Sequence, residues 1–334
     1  MSSAAFERRR VAGPPTSKPG GEAGQDKLQD LIGCSNAMEQ VREQIRRVAP
    51  SPVPVLILGE TGTGKELCAA AIASLSGRTP YLPVNCAAFA EGLIESELFG
   101  HERGAFTGAV RTHTGVIARS NGGVLFLDEL AELPSHLQAK LLRALESGEY
   151  QPLGASGTFH SNFRIIAATS GDFHGRLRSD LLHRLGAIRV WLPPLRKRLE
   201  DIPVLADAFL RRYLQRAGRG PSSISPEAGV LLMQQEWPGN VRQLRNVVEA
   251  SAAMAGSANE ISMLDVLQVL PPNGRDAPPA DGLPTLAEAR ARAERQAILG
   301  ALQRSQGNRA RAAKLLRISE ATLYRKLGNG HSQG

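Results

Sequence analysis

Residues 59–66, Gly-Glu-Thr-Gly-Thr-Gly-Lys-Glu, set three glycines and a lysine in a GxxxxGK frame. The frame follows an apolar run at 53–59 (VPVLILG) and opens a helix-forming stretch, KELCAAAIAS. In that context the spacing carries a mechanism. The glycines let backbone N–H groups turn inward around a chain of phosphates, the helix N-terminus adds positive potential, and Lys65 reaches the outer phosphates. Gly59, Glu60, Thr61, Gly62, Thr63, Gly64, Lys65 and Glu66 are therefore the expected nucleotide-binding residues. Glu66 stands where the general pattern has Ser or Thr to touch Mg2+, so another residue must orient the metal. A second apolar run, GVLFLDE at 123–129, ends in two carboxylates. Asp128 can hold Mg2+ through water, and Glu129 can orient or deprotonate an attacking water. Loop and acid pair, in this order, imply ATP hydrolysis with ATP and Mg2+ as cofactors.

The elements that must position these groups follow a regular pattern. Apolar runs at 53–59, 81–85, 123–129, 163–170 and 188–194 alternate with helix-period segments such as SHLQAKLLRALES. Nearly continuous apolar strands separated by helices predict a parallel sheet covered on both faces. After Pro194 the strand-like runs stop and helical periodicity takes over to about 270. The expected organisation is a disordered segment at 1–27, an α/β unit at 28–195, a helical lid at 196–270, a Pro/Gly/Asp-rich linker at 271–284, and a short helical module at 285–328.

The 334 residues carry a net charge of +8, with 42% hydrophobic and 22% charged residues, ordinary for a soluble globular chain. The charge is uneven: between Pro284 and Leu327 stand ten Arg or Lys against three Glu, a net +7. A nearly neutral body with a basic terminal module points to an enzyme core joined to something that meets a polyanion. There is no apolar run of membrane-spanning length, and the first residues have no secretory pattern. Cys34, Cys68 and Cys86 show neither paired nor metal-like spacing, which predicts buried thiols in a cytoplasmic protein.

The segment HERGAFTGAV at 101–110 narrows the reading. Gly104, Ala105, Phe106, Thr107, Gly108 and Ala109, with ESELFGHE (95–102) before them, resemble the GAFTGA motif of AAA+ bacterial enhancer-binding proteins, activators of the RNA polymerase that carries sigma-54. The resemblance runs from about Ile32 to Leu327. It implies an AAA+ P-loop NTPase fold, α/β with a helical lid, and a loop that grips sigma-54 under ATP control. From the residues alone, two glycines, small neighbours and one exposed aromatic read as a moving loop. Other roles come from the resemblance residue by residue. Asn85, in PVNCAA, is similar to the switch asparagine that restrains Glu129, though a lone strand-end Asn is also a common turn former. Thr169 resembles the γ-phosphate sensor, with Ser170 where Asn is usual. Arg178 and Arg184 match the arginines presented to a neighbouring subunit's nucleotide, and Arg242, in WPGNVRQLRN, the lid arginine acting in cis. Trp237 and Pro238 read as packing residues. The family implies a hexameric ring, with a dimer as the inactive form.

The module at 286–327 reads as three helices, with Asn308 and Ser319 as N-caps and a tight turn at Arg317-Ile318. It resembles the Fis-type helix-turn-helix, an all-α module for double-stranded DNA at upstream enhancer sites. Arg309, Arg311, Thr322, Tyr324, Arg325 and Lys326 are the expected DNA contacts, while Glu320 and Ala321 stand where family members often have basic residues. Few ordered-looking residues precede the ATPase unit, so regulation in trans is expected, by a partner protein that restrains the ring or by control of the protein's own expression. Two other readings share part of this inventory. A repressor acting on another polymerase form needs no GAFTGA loop, and a DNA-remodelling motor of the helicase-loader or Holliday-junction type would draw its ATPase activity from DNA alone.

Overall fold

The computed structural model describes residues 27–170, 173, 175–270, and, in the C-terminal part, 290, 298, 301, 305 and 309–323. Five strands form one parallel sheet: β1 (Val55–Leu58), β2 (Tyr81–Asn85), β3 (Val124–Asp128), β6 (Arg164–Thr169) and β7 (Ile188–Trp191), in the order β2-β3-β6-β1-β7. All five arise from the apolar runs recognised in the sequence. β1 and β6 are buried at every position, as central strands covered on both faces must be.

Helices α1 (Asn36–Val48) and α2 (Lys65–Leu75) cover one face through Ile45, Cys68 and Ile72. The other face is covered by α3 (Glu91–Phe99), α4 (Val116–Arg119), α5 (Ser135–Ser147) and α6 (Ser179–Leu185), through Ile94, Leu98, Leu137 and Leu181. Arg164 is 1% exposed, and its guanidinium donates to the carbonyls of Val48, Ala49 and Val53, tying the end of α1 to the sheet. Burial lowers its pKa to about 10, with Arg78 adding to the effect.

The lid consists of α7 (Asp201–Ala217), α8 (Pro226–Met233), α9 (Asn240–Ala255) and α10 (Met263–Val269) around a separate core that includes Phe209, Trp237 and Leu244. Trp237 is fully buried and donates Nε1–H to the Leu232 carbonyl, the packing role expected of it. Two features went unread in the sequence. A two-residue ladder, β8 (Ser223–Ile224) with β9 (Glu260–Ile261), sits inside the lid, and a hairpin of β4 (Glu149–Tyr150) with β5 (Phe159–His160) follows α5. Strands this short leave no periodicity to detect.

In the C-terminal module α11 (Arg309–Leu315) is followed by a turn in which Arg317 has φ +53 and Ile318 N–H reaches back to Ala313. The Ser319 hydroxyl then accepts from Thr322 N–H, the expected N-cap. Ala312, Ala313 and Leu323 are buried together. The N-terminal segment, the linker and Asn308 lie outside the described residues. Among the described residues no helix is long and apolar enough to cross a membrane.

Candidate active site

A parallel sheet brings the C-terminal ends of its strands to one edge, so the ends of β1, β2, β3 and β6 meet. Register pairs Asn85 with Asp128, and Leu58 with Thr169. The loop after β1 turns through Gly62 (φ +81) and Gly64 (φ +107), backbone geometry that favours glycine. At Gly62 the need is also steric, since a Cβ there would stand 2.3 Å from the Gly239 carbonyl oxygen of the lid.

Lys65, at the first turn of α2, is 6% exposed. Its Nζ donates to the Gly59 carbonyl at 3.1 Å and lies 3.5 Å from Glu129 Oε1. Glu129 itself adopts φ +50, a conformation that is costly for a residue with a Cβ and typical of functional turns. Asp128 Oδ1 accepts from Glu129 N–H at 3.0 Å. Burial raises the Asp128 pKa, and the neighbouring Glu129 charge raises it further. Such a pair of crowded carboxylates is the donor chemistry a hard divalent cation needs.

Thr169 is fully buried, and its Oγ1 has no hydrogen-bond partner among the described residues. A buried hydroxyl without a partner is rare. Thr169 stands at the end of β6, in register with Leu58 just before the loop. Asn85 is used locally: its Oδ1 accepts from Ala87 N–H at 2.9 Å, capping the turn Cys86–Ala88. The structure thus aligns Asn85 with Asp128 but shows no Asn85–Glu129 bond, and Glu129 carries Lys65 instead.

A cavity joins this edge to the lid. The segment 61–66, Asp128 and Glu129 line one side, and Leu31, Ile32, Met38, Leu205 and Phe209 supply an apolar side. Arg242 and Arg245 of α9 line it as well, and Arg242 N–H donates to the Gly62 carbonyl at 3.3 Å. Gly59, Glu60, Asn85 and Thr169 do not line it. The Glu60 carboxylate instead faces Arg196 and Asn240 of the lid. An open depression of about 540 Å3 lies beside the end of α5, lined by Glu146, His160 and Asn162. It holds none of the residues singled out in the sequence.

Residues the sequence reading missed complete the cavity. Arg198, 3% exposed, donates to the Thr63 carbonyl at 3.2 Å and lies 3.8 Å from Asp201, while its Nε has no partner among the described residues. Asp201 is fully buried and accepts from Cys34 N–H, Ser35 N–H and the Ser35 hydroxyl at 2.7 to 2.8 Å. It thereby fastens the chain entering α1 to the lid. A charged run in LPPLRKRLED gave no sign of this, because charge runs are usually solvated.

Arg178 and Arg184 lie away from this cavity. Arg178 precedes α6 with its guanidinium on Asp180 at 2.7 and 3.1 Å, and Arg184 donates to the Leu145 carbonyl at 3.1 Å. Both are exposed. Gln138 sets this corner: buried, it bonds the carbonyls of Leu133 and Arg176 and the N–H of Arg178.

The loop Gly104–Ala109 closes on itself, Gly104 N–H to Ala109 O at 2.9 Å and Ala109 N–H to Phe106 O at 3.0 Å. Phe106 is 38% exposed and meets the His101 ring edge-on at 5.0 Å, so it is partly packed rather than free. Thr107 is exposed and Ala109 is buried. The β4–β5 hairpin supports the loop: Glu102 N–H bonds the Leu153 carbonyl, and Ala105 touches Gly154.

Of the thiols, Cys68 and Cys86 are buried, and burial pushes both up to about 12. Cys34 is exposed, against expectation, because Asp201 draws in its backbone and leaves its side chain outside. In the DNA module Arg311 is exposed and Thr322 half-buried, its hydroxyl 2.8 Å from that of Ser319. Arg309 opens α11. Tyr324, Arg325 and Lys326 lie outside the described residues.

Comparison with known proteins bears on these findings. The profile of the sigma-54 interaction domain matches residues 31–191, that of the AAA+ ATPase lid domain 196–281, and that of the bacterial regulatory protein, Fis family, 289–329. The transcriptional regulatory protein ZraR of Klebsiella oxytoca is 41% identical over 98% of this chain and 73% of its own length. The Nif-specific regulatory protein of Azotobacter vinelandii is 43% identical over 86% of this chain, which spans 56% of that protein. Crystal structures of NtrX from Brucella abortus with ADP and with ATP superpose with TM-scores of 0.67 and 0.66 at 34% identity. They cover 91% of this chain, and 70% and 71% of theirs.

Proposed function

The chain belongs to the sigma-54-dependent transcriptional regulators built from an AAA+ ATPase domain, its lid and a Fis-type helix-turn-helix, and from that premise we propose that it is an ATP-driven activator which opens promoter complexes of the sigma-54 polymerase. Lys65 and the backbone of residues 61–64 bind the phosphate chain. Asp128 would hold Mg2+ through water, which supplies positive charge to the transferring phosphoryl group. Glu129 takes the proton of the attacking water once it leaves Lys65, and Asn85 is the partner that restrains it beforehand. The Thr169 hydroxyl reads the γ-phosphate, and Arg242 contacts the nucleotide from its own lid.

Arg178 and Arg184 act on a neighbouring subunit. Their exposure and their distance from the chain's own cavity support a hexameric ring whose active sites complete only at subunit junctions. Phe106 and Thr107, at the tip of the Gly104–Ala109 loop, engage sigma-54. Arg309, Arg311, Thr322, Tyr324, Arg325 and Lys326 contact enhancer DNA from a module spanning 285–328, joined by 271–284 to the lid at 196–270 and the α/β unit at 28–195.

The observation that carries this reading is the intact six-residue loop between the phosphate loop and the acid strand, its Thr107 exposed in a chain whose cavity is lined by Lys65, Asp128, Glu129 and Arg242. Purified protein and sigma-54 holoenzyme should yield ATP-dependent open complexes on a promoter with an upstream site. Thr107→Ala should abolish them and leave ATP turnover in place. Open complexes that survive this change, or that form equally with the housekeeping sigma factor, would overturn the assignment.

A further inference from the structure

Glu60 sits in the phosphate loop, yet its side chain binds no part of that loop and does not line the cavity. Its two oxygens accept from the two terminal nitrogens of Arg196 at 2.6 and 2.7 Å, a bidentate pair. The second oxygen also accepts from Asn240 Nδ2 at 3.1 Å. Asn240 is fully buried at the start of α9, and every group of its amide is used: Nδ2 also donates to the Thr61 carbonyl at 3.1 Å, and Oδ1 accepts from Leu195 N–H at 2.8 Å. One side chain therefore holds the phosphate loop, the strand-to-lid turn and the lid helix together. Two residues on, Arg242 N–H bonds the Gly62 carbonyl, and Gly62 leaves no space for even a methyl group against Gly239. The turn is strained, with Trp237 at φ +53 and Asn240 at φ +50, both non-glycine residues. Strain of this kind persists only where surrounding contacts over-determine it, and it marks positions the fold keeps for a purpose.

We propose that Glu60, Arg196 and Asn240 form a latch between the phosphate loop and the lid, positioning Arg242 against the nucleotide and making the two move as one unit. The inference rests on the ATP-binding reading of the cavity. Glu60 and Arg196 are then positioning residues, acting through Arg242 rather than on the nucleotide. Their partnership is charge-assisted: the Arg196 guanidinium, and after it Asn240, hold the Glu60 carboxyl down at about 2.

The test is a double-mutant cycle on the full chain, reading the Kd for ADP by calorimetry. Glu60 and Arg196 are partly exposed, so Glu60→Ala and Arg196→Ala are expected to fold, which a nucleotide-free melting curve verifies. Arg242→Ala should weaken ADP about tenfold, the scale of one charge-assisted contact. Glu60→Ala should weaken it by a similar factor, and the double variant no further than Arg242→Ala alone, because residues acting through one contact are not additive. Arg196→Ala should reproduce the Glu60→Ala result. Independent effects, multiplying to about a hundredfold in the double variant, would overturn the latch while leaving the nucleotide site intact. A wild-type protein that binds no ADP would overturn the site, and the latch with it.

Discussion

The chain carries two glycine-rich loops in one domain, and they are held in opposite ways. The phosphate loop is anchored from outside by other elements: Asn240 and Arg196 grip Glu60, Arg198 bonds Thr63, and Arg242 bonds Gly62. The Gly104–Ala109 loop is bonded mainly to itself and to Glu102 just before it, and it is Glu102 whose N–H bonds the Leu153 carbonyl of the hairpin behind. Its aromatic tip leans on a single histidine ring. A site that stabilises charge needs dipoles already in place, and reorganisation there costs rate. A loop that must move needs a low-stability hold, with few buried contacts to break. The same residue type thus stands in a loop held by other elements in one place and in a loop held mainly by itself in another, and the neighbours decide which.

Substitutions can sharpen or break this contrast, and the largest effect is expected at the anchored end. Glu129→Gln removes the proton acceptor while retaining shape, and ATP turnover should fall ~10²- to 10⁴-fold with binding retained. A fall below tenfold in steady-state turnover would remove Glu129 from the chemistry. Next, Asn240→Ala leaves the buried Leu195 N–H without its partner, a cost of about 1–3 kcal/mol, and removes the bond to the Thr61 carbonyl. The melting temperature should drop by a few degrees, about 2–4 °C per kcal/mol. An unchanged melting curve would mean that water replaces the amide and that the anchoring is weaker than its bonds imply.

Smaller, and confined to acid, is the contribution of Glu60. Its folded pKa of about 2 lies below the ordinary 4.5, so the stability it contributes is complete above the ordinary value and is lost as pH falls toward about 2. Glu60→Gln should flatten that part of the acid unfolding profile, read by circular dichroism, and leave its neutral-pH slope unchanged. At the other loop the expected effect on stability is least of all. Phe106→Ala and Thr107→Ala should shift unfolding by under about 1 kcal/mol, as substitutions at half-exposed or exposed positions do, while open-complex formation is lost. A large destabilisation would show the loop to be structural, and the contrast between the two loops would fail.

Much of the fold could be read without coordinates because its determinants are local. Apolar runs became the five strands, the GxxxxGK frame became a strand-to-helix turn, and Ser319 became a cap. Each depends on residues within a few positions of one another, so spacing along the chain reports spacing in space. The β4–β5 hairpin and the β8–β9 ladder were illegible because two-residue strands carry no period.

By itself, then, the amino-acid order determined the five strands of the main sheet, the phosphate loop, the acid pair and the family motif. Only tertiary structure decided what holds them. Glu60 meets Asn240 across 180 positions and Arg196 across 136, and Ser35 meets Asp201 across 166. It also decided that Arg178 and Arg184 face outward and that Cys34 is exposed while its backbone is anchored. The physical reason is that a buried polar group must find a partner wherever the fold brings one. Pairing over such separations is set by how the lid packs on the sheet, which no local spacing encodes.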